Sequence, residues 1–191
     1  MAEPLRIHVI IGSVREGRMA LPIANWVMEQ AAARDDLACE LVDLKAWDLP
    51  FYAHPRAPAA GGYVDPLQRR WAEKVAAADG YVLVAPEYNH SPSAVLKNAL
   101  DTVYAEWNRK PLSFVAYGGV GGARSVEQLR LTAAALEMAS LSNAVHLIRP
   151  GAKRQGDRFA GDLHDDKALA RLFDELAWWG RVLKAGRLNV A

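Results

Sequence analysis

From Tyr81 to Asp101 the chain changes character twice, and those two changes constrain its fold more than any other feature. Tyr81-Val82-Leu83-Val84-Ala85 is a continuous run rich in β-formers, the pattern of a strand covered on both faces. A polar loop follows, Pro86-Glu87-Tyr88-Asn89-His90-Ser91. Beyond it Leu96, Leu100, Val103 and Trp107 recur at i, i+4, i+7 and i+11, one stripe of a helix. Ser91 is expected to cap that helix and Pro92 to begin it, where a missing N–H is no loss. A buried strand feeding a helix is the unit of a parallel sheet, and open sheets of this kind bind ligands at the carboxyl ends of their strands. The loop from Pro86 to Ser91 is therefore the first candidate for function.

The alternation extends along the chain. Leu5–Ile11 reads as a first strand, with Leu21, Ala24, Met28 and Ala31 on a helix packed against it. Ala38–Leu44 is expected as the second strand, Pro66–Ala78 as a helix, Leu112–Tyr117 as the fourth strand and Ala144–Ile148 as the fifth. Val126, Leu129, Ala133 and Leu136 share a face of the fourth helix. Leu169, Leu172, Leu176, Trp179 and Leu183 line a C-terminal one. Strict strand–helix alternation implies an α/β three-layer sandwich, a parallel sheet with helices on both faces. Five strands in a chain this short favour a flavodoxin-like order of 2-1-3-4-5, in one domain covering residues 1–191. The stretch from Lys45 to Asp65 exceeds an ordinary connection and carries Trp47, Phe51, Tyr52 and Tyr63. It reads as either a mobile surface insertion or a rim over the ligand crevice and a subunit contact.

Charge and composition remove several functions. A net charge of +1 leaves no surplus of cations to displace counterions from phosphates, so nucleic acid is not an expected partner. The single Cys39 cannot form an internal disulfide, which suits a cytoplasmic location. No apolar stretch reaches membrane-spanning length, and Ile7–Ile11 is too short for the apolar region of a leader. His8, His54, His90, His146 and His164 show no metal-ligand spacing, and no metal is expected. No Gly-x-Ser-x-Gly elbow is present to carry a nucleophile.

Two further loops fall at the carboxyl ends of strands. Gly12-Ser13-Val14-Arg15-Glu16-Gly17-Arg18-Met19 lies between the first strand and the first helix, where backbone N–H groups and the helix dipole favour an anion. Ser13 adds a hydroxyl, and Arg15 and Arg18 add forked cations suited to phosphate. The spacing of Gly12 and Gly17 approaches that of a nucleoside-triphosphate loop. However, Arg18 stands in place of its lysine and Met19 in place of the hydroxyl that ligates Mg²⁺. Nucleotide hydrolysis is excluded on that ground, and binding of a phosphate monoester is retained. After the fourth strand, Gly118-Gly119-Val120-Gly121-Gly122 implies a sharp turn or close backbone approach. Arg124 occupies the last position of what would otherwise be a dinucleotide fingerprint, and is the residue a nicotinamide 2′-phosphate could meet. Phosphate at the first loop and a flat ring between the other two describe a mononucleotide such as FMN.

On these residues the sequence resembles the NAD(P)H-dependent FMN reductases of flavodoxin-like fold. The resemblance rests on Gly12 to Arg18, on Pro86-Glu87-Tyr88-Asn89-His90-Ser91 running into Leu96-Lys97-Asn98, and on the paired glycines after the fourth strand. It implies that Ser13, Arg15 and Arg18 hold the FMN phosphate, Arg18 standing where many members have serine. It further implies that Pro86, Glu87, Tyr88 and Asn89 line the isoalloxazine, and that Gly118 and Gly119 approach it by backbone. The implied activity is transfer of electrons from NADPH or NADH through FMN to a small acceptor, such as a flavin, quinone or azo compound. No catalytic side chain is named, because the cofactor carries the chemistry. A homodimer or homotetramer is expected from the resemblance, the aromatic long stretch, Tyr104 and Trp107. The alternatives are a flavodoxin-like electron carrier, which the near-neutral charge argues against, and a flavin-binding regulatory protein.

Overall fold

The computed structural model describes residues 3–189. Its strands and helices are β1 (Leu5–Ile11), α1 (Ala20–Ala31), β2 (Leu37–Asp43), α2 (Leu44–Trp47), α3 (Pro66–Ala76), β3 (Gly80–Pro86), α4 (Ala94–Asp101), β4 (Pro111–Gly118) and α5 (Ala123–Ala135). They continue as β5 (Ala139–Ser140), β6 (Val145–Ile148), the short hairpin β7 (Arg154–Gln155) and β8 (Arg158–Phe159), and α6 (Leu163–Leu188). The main sheet is parallel, as the alternation implies, and has the expected order β2-β1-β3-β4-β5. Its fifth position is split: β5 pairs with the start of β4 and β6 with its end.

Side-chain alternation along the strands produces two cores. Val9 and Ile11, Val82 and Val84, and Val115 face α1 and α6, whereas Ile10, Leu83, Ala85, Phe114 and Ala116 face α3, α4 and α5. Strands buried on both sides explain the unbroken apolar runs. Burial also pushes the Cys39 thiol on β2 up to about 11, which keeps it protonated and unreactive at neutral pH.

Four local expectations are corrected. The helix after β3 begins two residues late, because Ser91 is tied to Tyr88 by reciprocal backbone bonds and Ser93 supplies the cap to Leu96 N. That helix ends at Asp101, and Trp107 lies in a separate 3₁₀ turn, wholly buried against Tyr81 and Trp71 and so closed to any subunit contact. On α1 Ala24 and Ala31 are buried as expected, together with Ile23, Trp26 and Val27, whereas Leu21 faces outward. On α6 Gly180 sits so close to Leu5 that a Cβ there would lie 2.7 Å from Leu5 Cδ1. That seating turns Trp178 and Trp179 to the surface.

The long stretch after β2 is pinned. Asn98 on α4 donates to Leu49 O and Pro50 O and accepts from Tyr52 N at 3.0 Å. Tyr63 donates to Glu106 and accepts from Tyr104 N, and burial pushes its phenol up to about 12.

His8 on β1 gives the fold a pH dependence. Burial lowers its pKa from 6.5 to about 4, opposed by Glu40 and reinforced by Lys74 and Lys110. The unfolded chain therefore binds the extra proton first, and stability present above pH 6.5 is lost as pH falls toward 4. Urea unfolding at pH 7 and pH 4.5 is expected to show a smaller acid loss in His8→Gln than in the parent, by roughly 2 kcal/mol. Equal losses in the two proteins would assign the acid sensitivity to other groups.

Candidate functional site

Three connections meet at the carboxyl ends of β1, β3 and β4. Residues 12–19 form the first, 87–93 the second and 119–122 the third. Gly12 N donates to Val84 O at 2.9 Å, and Ser93 Oγ donates to Gly12 O at 2.6 Å, so the first loop is bonded to both β3 and the cap of α4.

The first loop leads into α1, whose N-cap is Met19 and whose first turn receives no side-chain cap and holds no acidic residue. Its orphan N–H groups and positive dipole end suit an anion from elsewhere. The two arginines of this loop differ sharply. Arg18 is nearly buried, donates to Ser13 O at 2.6 Å and forms a bidentate pair with Asp43 at the end of β2. Arg15 is exposed, lies over the Tyr88 ring at 5.8 Å and has no carboxylate partner among the described residues.

Ser13 Oγ is buried and shares a 2.9 Å hydrogen bond with Tyr88 OH. The Tyr117 phenol lies beside both; burial and Tyr88 raise its pKa against the opposing Ser13 hydrogen bond. The second loop turns tightly: Tyr88 N donates to Ser91 O, Ser91 N donates to Tyr88 O, and Asn89 and His90 carry φ of 50° and 67°. Two left-handed residues inside reciprocal bonds make a type I′ turn, in which L side chains are held against their preference.

Glu87 reaches into the third connection. Its carboxylate is 5% exposed and accepts from Arg124 Nε at 2.6 Å and Arg124 N at 3.1 Å, with a further bond from Ser125 N. Burial works to raise this carboxyl, and the Arg124 and Ser125 donors overcome it, leaving the group below the ordinary carboxylate value. In the third connection the left-handed residues are Gly121 and Gly122, not Gly118 and Gly119. A Cβ at Gly122 would lie 2.8 Å from Ala116 Cβ and Tyr117 N, whereas one at Gly119 would meet nothing within 4 Å. The space over Gly119 is open.

Of the residues expected from sequence, Ser13, Arg15, Pro86, Glu87, Tyr88 and Gly118 converge, with Pro86 in register with Tyr117 and Gly118 against Glu87. Arg18 lies beneath the first loop, spent on Asp43, and Asn89 stands exposed at the tip of the turn. Sequence reading missed Asp43, Tyr117 and the role of Asn98. Asn98 lies off the Leu96–Leu100 stripe of α4, so periodicity gave no signal for its burial. A cavity of about 140 Å³, lined by Val14, Leu44, Leu49, Phe51, Val95 and Asn98 among others, adjoins the first loop.

A model of the NADPH-dependent FMN reductase family matches residues 5–151. An NAD(P)H-dependent FMN reductase of Schizosaccharomyces pombe is 44% identical over 135 residues, 70% of this chain and 68% of that protein. A quinone reductase of Escherichia coli strain K12 is 27% identical over 193 aligned positions, 96% of this chain and 98% of the relative. Among solved structures, FerB, a flavoenzyme NAD(P)H:(acceptor) oxidoreductase from Paracoccus denitrificans, has a TM-score of 0.75 at 21% identity. That alignment covers 93% of this chain and 97% of FerB, a likeness of fold.

The two glycine environments predict opposite outcomes for the same substitution. Gly122→Ala is expected to cost roughly 2 kcal/mol, about 4–8 °C in Tm, because it adds a Cβ to a left-handed, crowded position. Gly119→Ala should stay within about 0.5 kcal/mol of the parent. Thermal unfolding of the two variants checks both, and similar melting temperatures would contradict the geometry.

Proposed function

The chain belongs to the family of NADPH-dependent FMN reductases, and on that premise we propose that it holds FMN over the carboxyl ends of β1, β3 and β4 and uses NAD(P)H to reduce a small acceptor. All 191 residues serve as one flavin-binding unit, working in the cytoplasm. No helix among the described residues is long and apolar enough to cross a membrane.

The observation that carries this reading is Arg15, a guanidinium with no carboxylate partner among the described residues, on the loop that leads into the start of α1, which has no side-chain cap. Glu16 and Asp43 are taken up by Lys45 and Arg18, so a phosphate monoester would supply the anionic partner for Arg15. Ser13 adds a hydroxyl, shared with Tyr88 OH, to the same loop, and Arg18 supports the loop from below by tying Ser13 O to Asp43. Pro86, Tyr88 and the backbone of Gly118 and Gly119 border the place for a flat ring, Asn89 lies at the outer tip of the same turn, and the open space over Gly119 leaves one face clear. Bound FMN would supply the redox chemistry, taking hydride from NAD(P)H and returning electrons to the acceptor. The protein's part is to hold donor and acceptor flat in turn at that clear face, within about 3–3.5 Å. Quinones are the favoured acceptors, in keeping with the quinone reductases among the relatives.

The test is a visible-spectrum titration with FMN followed by NADPH or NADH without oxygen. Saturable uptake of FMN and bleaching by the nicotinamide alone are expected; no uptake would end the proposal. Arg15→Ala should weaken FMN by about tenfold to a hundredfold, the worth of one charge-assisted hydrogen bond. Riboflavin, which lacks the phosphate, should bind variant and parent alike. Equal FMN affinities would remove Arg15 from the phosphate site.

The assembly proposed is a homodimer or homotetramer. Phe51 and Val64 on the stretch after β2 are both 75% exposed, and closed two-fold symmetry is the usual way to cover such residues. Light scattering at micromolar concentration should give a multiple of the 20.9 kDa chain mass. A monomer mass would overturn this assignment.

A further inference from the structure

We propose that Glu87 and Arg124 act together as a brace that sets the gap between the second and third loops, and that they are positioning residues for the ring of the cofactor. This role rests on the flavin-binding reading above. It takes Glu87 out of direct flavin contact and takes Arg124 out of nicotinamide recognition.

Glu87 is a carboxylate placed at the start of a helix by another loop. The N-cap of α5 is Gly122, which has no side chain to cap the first-turn N–H groups. Glu87 meets that need from across the site, accepting from the N–H groups of both Arg124 and Ser125. A negative charge there also answers the positive end of the helix dipole. The ordinary source of such a cap is the residue before the helix. Its origin here in the strand-end motif of β3 makes the cap a cross-link between two walls of the site.

Arg124 then doubles back over the second loop. Its Nε and Nη2 lie on Glu87, and its Nη1 donates to His90 Nε2 at 2.7 Å. One guanidinium thus holds both ends of the segment from Glu87 to His90, which contains the left-handed Asn89 and His90. Left-handed non-glycine residues persist only where their surroundings over-determine them. Tyr88, which bonds Ser13 and lies under Arg15, is carried on that same segment. The brace therefore fixes where the Tyr88 ring stands and how far the turn lies from Gly118.

The same contacts engage all three nitrogens of the Arg124 guanidinium, Nε and Nη2 on Glu87 and Nη1 on His90. Its charge is already neutralised by a buried carboxylate, unlike that of Arg15. Loss of Arg124 leaves Glu87 with backbone donors alone and releases His90. Loss of Glu87 leaves α5 uncapped and frees the guanidinium. Each change breaks the same unit, so their effects should not add.

The experiment compares the parent with Arg124→Gln, Glu87→Gln, the double variant and Arg124→Lys. Affinities for FMN and riboflavin, the ratio of kcat/KM for NADPH and NADH, and amide exchange at Tyr88 and Ser91 are measured. Arg124→Gln should weaken FMN and riboflavin alike, by about tenfold. It should also accelerate exchange at Tyr88 and Ser91 and leave the NADPH-to-NADH ratio unchanged. The double variant should be no weaker than the weaker single, and Arg124→Lys should fall between, keeping the charge without the fork. Should Glu87→Gln fail to fold, Arg124→Gln, with its side chain at the surface, still reads both affinities and exchange. Unchanged riboflavin affinity, additive losses, or a fall confined to NADPH would each overturn the brace. A parent that takes up no flavin would overturn the cofactor reading together with it, whereas a flavin-binding parent with unaltered variants would overturn the brace alone.

Discussion

The site depends on the close seating of Gly12 against the end of β3. A Cβ at that position would stand 2.9 Å from both Val84 O and Leu96 Cδ2, inside any real contact. With hydrogen in its place, Gly12 N reaches Val84 O and Gly12 O receives the Ser93 hydroxyl. One residue thereby binds the first loop to β3 and to the cap of α4. Ser13 and Arg15 are then delivered to Tyr88, and α1 starts where its N–H groups face the crevice. A side chain at position 12 would lift the loop from the strand and separate these partners.

Around that contact, polar cross-links do the positioning that apolar packing cannot. The two cores on either side of the sheet hold the strands in register, but they end where the strands end. Beyond it, Arg18 ties the first loop to β2 through Asp43, Asn98 ties the long stretch to α4, and Glu87 ties the second loop to α5. Each is a buried or half-buried group whose hydrogen-bonding capacity is met by a segment far away in sequence. Such groups are costly to leave unpaired, so each link specifies one arrangement of its loop.

This division of labour explains why Arg15 and Arg18, three residues apart and chemically identical, have different capacities. Arg18 is spent on the fold, and its charge is met by Asp43. Arg15 projects from the same loop with no carboxylate to meet it among the described residues, and so retains the capacity to hold an incoming anion. Glu87 and Tyr88 divide similarly. The carboxylate turns inward to α5, and the phenol turns toward Ser13.

The sequence by itself determined the layered α/β architecture, the strand order, the three loops of the site and the family. The first three follow from periodicity or local residue chemistry: apolar runs for doubly covered strands, amphipathic stripes for helices, and glycine and arginine at a strand end for an anion corner; the family came from the resemblance of the loop motifs. Where local signals competed, the reading slipped. Two serines flank Pro92, and only the Tyr88–Ser91 turn selects Ser93 as the cap. Two tryptophans adjoin on α6, and only the contact of Gly180 with Leu5 turns both outward. The tertiary structure alone decided which arginine stays free, that Glu87 caps a helix begun thirty-six residues later, at Ala123, and that Trp107 is wholly buried. The physical reason is that each of these depends on a partner distant in sequence, and a side chain's role is set by the charge and space it meets after folding.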